Sequence, residues 1–390
     1  MPIYTCEKCA KTFKQKGHYT RHITRKISCH NAVEMLEQEL KTMSINSASG
    51  TSVSKQRTFI EVCSGAGGLS CGLINAGFIP LLLNDVNKDC CATLVKNHPG
   101  VEVSHKSMEN IDVSRFIDKV DLLTGGVPCQ SFSQAGKRKG LTDSRGKLMY
   151  CFADLVKQVK PKIFMIENVR GLTTHNKGET LRTIISLLNV NNEYNVSVKL
   201  LNSLNYGVPQ KRERVFIVGV LKKFRKTFRY PLPSVSKHLV LRDVLENVPA
   251  SPHVEYSEEK KLLFKKIPPG GCWVNLKVEE QKKYMGNSFF SGGGKRGILR
   301  RMSYDEPSLT LLCSPTQKQT ERCHPEEVRP FTIREYARIQ TFPDNYEFVG
   351  SIRSVYKQIG NAVPVNLANH MGIKLLEYLN LIGDSDSDSN

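Results

Sequence analysis

No stretch of this chain approaches the roughly 18 consecutive apolar residues that a membrane span requires, and the N-terminal Met1-Pro2-Ile3-Tyr4-Thr5-Cys6 carries no apolar signal region. Membrane insertion and secretion are therefore not expected, and the protein is expected to work inside a cell, in the cytoplasm or a nucleus. Without a secretory route, its 12 cysteines argue for reduced thiols, metal ligation and catalysis rather than for a disulfide framework. No internal repeat is visible. Acidic residues are in short supply, 37 against 56 Lys and Arg, a net charge of +19. That balance favours a polyanionic partner, because each phosphate contact releases counterions. What is present is enough apolar residue, 39% of 390, to bury the cores of two compact domains.

Residues 1–30 read as a separate unit. Cys6-Glu7-Lys8-Cys9 sets two thiols two residues apart, and His22 follows Cys9 after twelve residues, which is zinc-finger spacing. Tyr4, Phe13 and Tyr19 fall where such a finger keeps its small apolar core, which a metal must supplement in so short a chain. The stretch resembles a Cys2His2 finger but departs from it at the fourth ligand. The usual spacing after His22 reaches Lys26, Ile27 or Ser28, none of which binds zinc, so Cys29 is the expected ligand and His30 the alternative. Seven Lys and Arg against one Glu suit nucleic acid. In residues 31–56, Val33, Leu36, Leu40 and Met43 recur at helical spacing before a linker rich in Ser, Asn and Gly.

From Thr58 the pattern turns to strands alternating with helices. Strands are expected at 58–63, 78–84, 120–124, 162–166, 196–201 and 214–220, an alternation that predicts a doubly wound, largely parallel α/β sheet over 57–221. Residues 222–325 break it: they are rich in Lys and Arg, interrupted by Pro231, Pro233, Pro249, Pro252, Pro268 and Pro269, and read as a second, irregular domain. The single tryptophan, Trp273, falls here as a core anchor or a stacking residue. Helical periodicity resumes in Ile333 to Thr341 and after Pro364, so 326–382 is expected to return to the first domain. Residues 383–390 form an acidic tail.

Two turns in the α/β part carry chemistry. Gly65-Ala66-Gly67-Gly68 follows a buried strand, where glycines let the backbone approach a nucleotide, and Asp85 at the end of the next strand can hold ribose hydroxyls. The strict dinucleotide fingerprint is not met, because Ser70 stands at its last glycine. The second turn is Gly125-Gly126-Val127-Pro128-Cys129, just past an apolar strand. Pro128 fixes the backbone before the thiol, and strand ends are where open sheets place their chemistry, so the setting suits a nucleophilic thiolate.

These two turns, together with Ile166 to Leu172, Pro209 to Phe216 and Gln358 to Pro364, closely resemble in their order the DNA cytosine-C5 methyltransferases, over residues 58 to 375 apart from the basic irregular region. The resemblance implies a Rossmann-like, doubly wound methyltransferase domain with a smaller target-recognition domain at 222–325, S-adenosylmethionine as cofactor and double-stranded DNA as partner. A monomer is expected. Cys129 is expected to add to carbon 6 of a flipped cytosine, with Glu167 bonding the ring and exocyclic nitrogens. Arg212 and Arg214 alternate along a strand and would share one face, where they orient the base and fix the thiolate or, alternatively, either serves as a phosphate clamp. The cofactor is expected to meet Phe59 and the loop Ser64, Gly65, Ala66, Gly67, Gly68 and Leu69 at its methionine end, and Asp85 and Val86 at its ribose and adenine. Pro128, Asn361 and Val363 complete its site. Ser107 stands where the family commonly has an acid, with Glu109 as a substitute. Two other functions remain open at this point: a tRNA methyltransferase of the same family, and a catalytically silent DNA-binding protein.

Overall fold

In the computed structural model, the residues described are 4–5, 12–13, 20, 56–128, 147–290, 297–319 and 321–383. The zinc ligands Cys6, Cys9, His22, Cys29 and His30 lie outside them, as do the helix and linker of 31–55, Cys129 with the loop that follows it, and the tail from 384. In the N-terminal unit, two short strands, β1 (Tyr4–Thr5) and β2 (Thr12–Phe13), pair antiparallel with Tyr4 opposite Phe13.

Residues 56 to 390 form the second unit. Its centre is β3 (Thr58–Val62), a β-branched and aromatic run buried on both faces. Around it stand β4 (Ile79–Asn84), β5 (Glu102–Ser104), β6 (Leu122–Gly125), β7 (Ile163–Val169), β8 (Tyr194–Asn202) and β10 (Glu213–Leu221), in the order β5-β4-β3-β6-β7-β10-β8. The five strands from β5 to β7 are parallel, and β10 runs antiparallel to both its neighbours. The chain winds outward from β3 through β4 to β5, then returns to the other side of β3 as β6. The strand order therefore reverses between β3 and β6, and it is outside the carboxyl ends of such a pair that open α/β sheets bind their ligands.

Side-chain alternation along β3 divides the core. Phe59 joins the face covered by α1 (Gly68–Ala76) and α10 (Val365–Gly383), while Ile60 and Val62 join the opposite face under α3 (Lys147–Val159) and α4 (Glu179–Leu188). A helix α2 (Lys88–Asn97) follows β4, capped by the Asn87 side chain, which accepts from the amides of Asp89 and Cys90. The helices α1 and α10 lie unusually close. A methyl placed on Gly72 would stand 2.4 Å from Cβ of Ala368, and one on Gly372 would stand 2.6 Å from Cβ of Ala76.

Residues 222–325 contain short helices, α5 (Arg242–Leu245), α6 (Glu258–Phe264) and α7 (Val278–Met285). Helices α6 and α7 flank an apolar cluster that includes Tyr256, Phe264, Leu276, Met285 and Cys323, whereas Val244 and Leu245 of α5 pack against a different cluster with Phe331 and Tyr336. Trp273 is half-buried against the first of these, edge-on to Phe289. The segment meets the chain of the first part again where β11 (Ser308–Leu309) pairs in parallel with β9 (Gln210–Lys211) in a separate two-stranded sheet. The helices α8 (Ile333–Ile339) and α9 (Ile352–Asn361) then lead into α10.

Strand β5 and helix α9 are additions to the sequence expectation. β5 is only three residues long, too short for a period to register. Cys63, expected as the last residue of β3, instead leaves the strand with φ of 52°. Among the described residues, no helix is long and apolar enough to cross a membrane.

Candidate active site

The first wall of the site is the turn after β3. Gly65 adopts φ of 56°, a left-handed conformation that glycine takes without strain, and a methyl placed on it would meet nothing within 4 Å. Gly67 and Gly68 are different: methyls there would meet the Tyr346 hydroxyl at 2.5 Å and the Val363 carbonyl oxygen at 2.3 Å. Of the three, Gly65 faces open space, and the others let the turn pack against the end of the chain. Tyr346 secures that packing by donating to the Ala66 carbonyl at 2.6 Å.

Asp85, at the end of β4, fixes the turn from the other side. Its Oδ2 accepts from the Gly65 amide and its Oδ1 from the Asn87 amide, both at 2.8 Å. Each oxygen keeps a lone pair for a further donor. Next to it Val86 is 71% exposed, and His105 holds the Val86 carbonyl through Nε2 at 2.9 Å. Beyond β5, Ser107 is half-buried with no side-chain capping bond. Glu109 is taken by Lys147 at 2.7 Å, so the free hydroxyl on this edge belongs to Ser107. Asn361 is exposed at the end of α9, where its Oδ1 accepts from the Cys313 thiol at 2.9 Å.

Two expected cofactor contacts need correction. Phe59 and Leu69 are enclosed in the core between the sheet, α1 and α10, with Phe59 edge-on to Phe78. Neither side chain faces the open turn, because position 59 lies at the wrong end of β3 and position 69 on the buried side of α1. The side chain at the carboxyl end of β3 is that of Cys63, which is half-buried, with burial pushing its thiol up to about 12. Ala66 and Val363 are also buried. Ser64 turns its hydroxyl inward, donating to the Glu61 carbonyl at 3.1 Å. Pro128 is exposed.

The second wall is built at the ends of β6 and β7. Gly125 can only be glycine, because a methyl there would lie 2.4 Å from the Val62 carbonyl oxygen. A methyl on Gly126 would lie 3.7 Å from both the Cys63 carbonyl oxygen and Glu167 Oε2, so the stem of the Cys129 loop runs between the two walls. Asn168 donates to the Val127 carbonyl at 2.8 Å. Glu167 is buried, and Arg214 Nε stands 2.7 Å from its Oε1 in a charge contact that lacks hydrogen-bond alignment. Burial raises the Glu167 carboxyl pKa, while Arg214 and then Arg212 act against that rise. A carboxyl poised in this way can exchange a proton with a ring nitrogen.

Arg212 departs from expectation. It falls in the one-residue break between β9 and β10 rather than on one strand with Arg214. It is fully buried, donating to the carbonyls of Leu311 at 3.0 Å and of Gly360 and Ala362, each at 2.9 Å. Its guanidinium thus ties three distant stretches of chain together. Burial pushes it down to about 9, still charged at neutral pH. Gln340 reinforces the junction: its Oε1 accepts from Gln210 Nε2 at 2.9 Å and its Nε2 donates to the Ile359 carbonyl at 2.8 Å. Neither glutamine had a sequence signal beyond membership of a motif, and the same holds for Asn168 beside Glu167. Among the described residues, no group of three or more His, Cys, Asp or Glu side chains could hold a metal.

The model of the C-5 cytosine-specific DNA methylase family matches residues 57–377. The chain is 49% identical to the type II methyltransferase M.Sau96I of Staphylococcus aureus over 84% of its own length and 77% of that protein. It is 48% identical to M.PspPI of Psychrobacter sp. (strain TA137), over 84% of its length and 80% of the relative. In fold it is similar to the methyltransferase EhMeth of Entamoeba histolytica, with a TM-score of 0.60 at 20% identity, over 83% of this chain and 99% of that one. An enzyme is thus established and a silent binder set aside: the chain belongs to the C-5 cytosine-specific DNA methylases, which methylate cytosine at carbon 5 with S-adenosylmethionine.

Proposed function

We propose that Cys129 is the nucleophile of this reaction, with Glu167 and Arg214 as its partners at the target base. The observation that carries the assignment is the buried Glu167–Arg214 pair, 2.7 Å apart, beside Gly126 at the stem of the Cys129 loop. Carbon 5 of cytosine is a poor nucleophile. A thiolate added at carbon 6 pushes electron density onto carbon 5, and a proton held by Glu167 at ring nitrogen 3 neutralises the charge that this addition develops. After methylation, loss of the carbon 5 proton to a base breaks the sulfur–carbon 6 bond and frees the thiolate. Arg214 orients the carboxyl and keeps its proton exchangeable. Arg212 serves by holding the junction on which Arg214 stands.

The residues present fit the cofactor, since Gly65 offers an open backbone and both Asp85 oxygens keep a lone pair. Gly65, Asp85, Val86, Ser107 and Asn361 would hold it, and the cofactor when bound supplies an electrophilic methyl group. Because the target atom is buried in a duplex, the base must leave the stack to reach Glu167. Residues 222–325 are proposed to read the duplex, although Arg301 does not belong to that surface: it donates to the carbonyls of Ile267 and Pro325, each at 3.0 Å. Transfer of labelled methyl to duplex DNA, with total tRNA as the competing substrate, tests the assignment. Cys129→Ala is expected to abolish counts in DNA while leaving cofactor binding nearly intact, and appreciable residual transfer would remove the covalent route.

The N-terminal unit is proposed to be a zinc finger held by Cys6, Cys9, His22 and Cys29, with His30 as the alternative. The antiparallel pairing of β1 with β2 supports this, because Cys6 and Cys9 fall between the two strands in sequence, as a finger's first two ligands do. One zinc per chain by elemental analysis, lost in Cys6→Ser, is the expected result. Loss in Cys29→Ser but not His30→Ala would identify the fourth ligand.

A further inference from the structure

The glycine turn after β3 is fastened a second time by a residue 280 positions further along the chain. The buried Tyr346 hydroxyl donates to the Ala66 carbonyl at 2.6 Å, while Asp85 accepts from the amide of Gly65, one residue earlier. The peptide that Tyr346 grips is also held at its other end, where the Gly67 amide donates to the Ser64 carbonyl at 2.9 Å. Asp85 and Tyr346 are in turn joined through α2. Asn87, whose amide donates to Asp85, caps the start of that helix. At its end Asn97 makes two bonds with the backbone of Glu347, its Nδ2 donating to the carbonyl at 2.7 Å and its Oδ1 accepting from the amide at 2.9 Å. The phenol is packed between Phe342 and Phe348, with ring centroids 4.9 and 5.3 Å away, and His98 stands edge-on to it. The turn, Asp85, α2 and residues 346–347 therefore form a closed circuit of hydrogen bonds, and the Tyr346 hydroxyl is the link that closes it.

We propose that Tyr346 is a positioning residue for cofactor binding, which holds the glycine turn, through the Ala66 carbonyl, in the shape that presents Gly65 and Asp85 to S-adenosylmethionine. Buried beneath the turn, it acts through the backbone rather than by contact. Gly65 and Gly67 stand at φ of 56° and 81° on either side of Ala66, so the turn consists of residues that an unfastened chain leaves free to adopt other conformations. A site that spends only part of its time in the competent shape binds its ligand more weakly by that fraction. Without the phenol oxygen, the Ala66 carbonyl loses its donor, which favours rearrangement of the turn. The inference rests on the reading that Gly65 and Asp85 hold the cofactor, and Asp85→Ala tests that reading separately.

The experiment uses the full chain with Tyr346→Phe, which removes one oxygen and keeps the packed ring, and with Asn97→Ala, which releases the backbone of Glu347 and keeps the phenol. Affinity for S-adenosylhomocysteine is read by calorimetry, kcat and the KM values for S-adenosylmethionine and duplex DNA by methyl transfer, and folding by urea unfolding. Tyr346→Phe is expected to weaken S-adenosylhomocysteine binding about fivefold to fiftyfold and to raise KM for S-adenosylmethionine in step. Its kcat at saturating substrates and its KM for DNA are expected to stay within about twofold of the wild type. Asn97→Ala is expected to weaken binding in the same direction by a smaller factor. Unchanged affinity in a folded Tyr346→Phe would overturn the proposal, as would losses in kcat and in KM for DNA as large as the loss of cofactor affinity, which would make Tyr346 a general structural residue. Should Tyr346→Phe not fold, unchanged affinity in Asn97→Ala overturns it instead. Full affinity in Asp85→Ala would remove the cofactor reading itself, whereas a loss there beside full affinity in Tyr346→Phe removes this inference alone.

Discussion

Glu61 shows how strongly position can alter a single side chain. It lies on β3 directly beneath the glycine turn, buried, with Ser70 as its hydrogen-bonding neighbour and Oε2 without a partner. Burial is the largest influence on its carboxyl and pushes it up to about 8, with nearby Asp85 adding to the rise. An acid whose folded pKa lies above its unfolded value binds more protons in the native state, so its ionisation opposes folding as pH rises. The cost starts near the unfolded value of 4.5, grows up to about 8 and is constant above that. Glu61→Gln keeps the shape and removes the ionisation. At pH 8 it is expected to be more stable than the wild type by about 2–4 kcal/mol, a gain that fades toward pH 4.5. Urea unfolding across that range measures it, and equal midpoints at pH 8 would show that Glu61 ionises without penalty.

At the scale of elements, the contact between α1 and α10 governs the wall proposed to hold the cofactor. Gly72 admits Ala368 and also the Val365 carbonyl, which would stand 2.5 Å from an added methyl. Because α1 begins at the glycine turn, any force parting the helices acts on Gly65 and its bond to Asp85. Gly72→Ala is expected to cost about 1–3 kcal/mol through overpacking and to weaken S-adenosylhomocysteine binding in parallel, read by thermal unfolding and calorimetry on one sample. Full stability with unchanged affinity would mean that the helices shift without disturbing the turn. The α1 and α10 segments are nearly 300 residues apart by their ranges, Gly68–Ala76 and Val365–Gly383. Nothing in either pattern alone marks those glycines as a pair.

For the whole molecule, the net charge of +19 overstates what DNA can use. Arg212, Arg301 and Arg329 are spent inside the fold, the last on Glu335 at 2.8 Å, and Arg214 is spent on Glu167. Residues 1–30 add seven basic residues against one acid. Removing residues 1–54 is expected to leave methyl transfer at saturating DNA intact, to weaken duplex binding and to flatten its salt dependence. A titration series from low to physiological salt reads both. An unchanged slope would mean that the N-terminal unit does not touch phosphate.

The sequence by itself determined the alternation of strands and helices, the turn at the end of β3, and the place of Glu167 at a strand end. These depend on local period and on residue types in order, which a linear reading contains. It could not reveal that Phe59 and Leu69 face the core, because both strand and helix bury different sides at different ends, and burial depends on what covers them. Nor could it separate Arg212 from Arg214: that one is spent on the carbonyls of Leu311, Gly360 and Ala362 and the other stands beside Glu167 depends on which distant groups meet them. The Tyr346 bond to the glycine turn, the Glu61 carboxyl under that turn and the Gly72 contact were decided by tertiary structure alone. Each joins segments distant in sequence, and the energy of such contacts depends on a distance and an orientation that no single segment specifies.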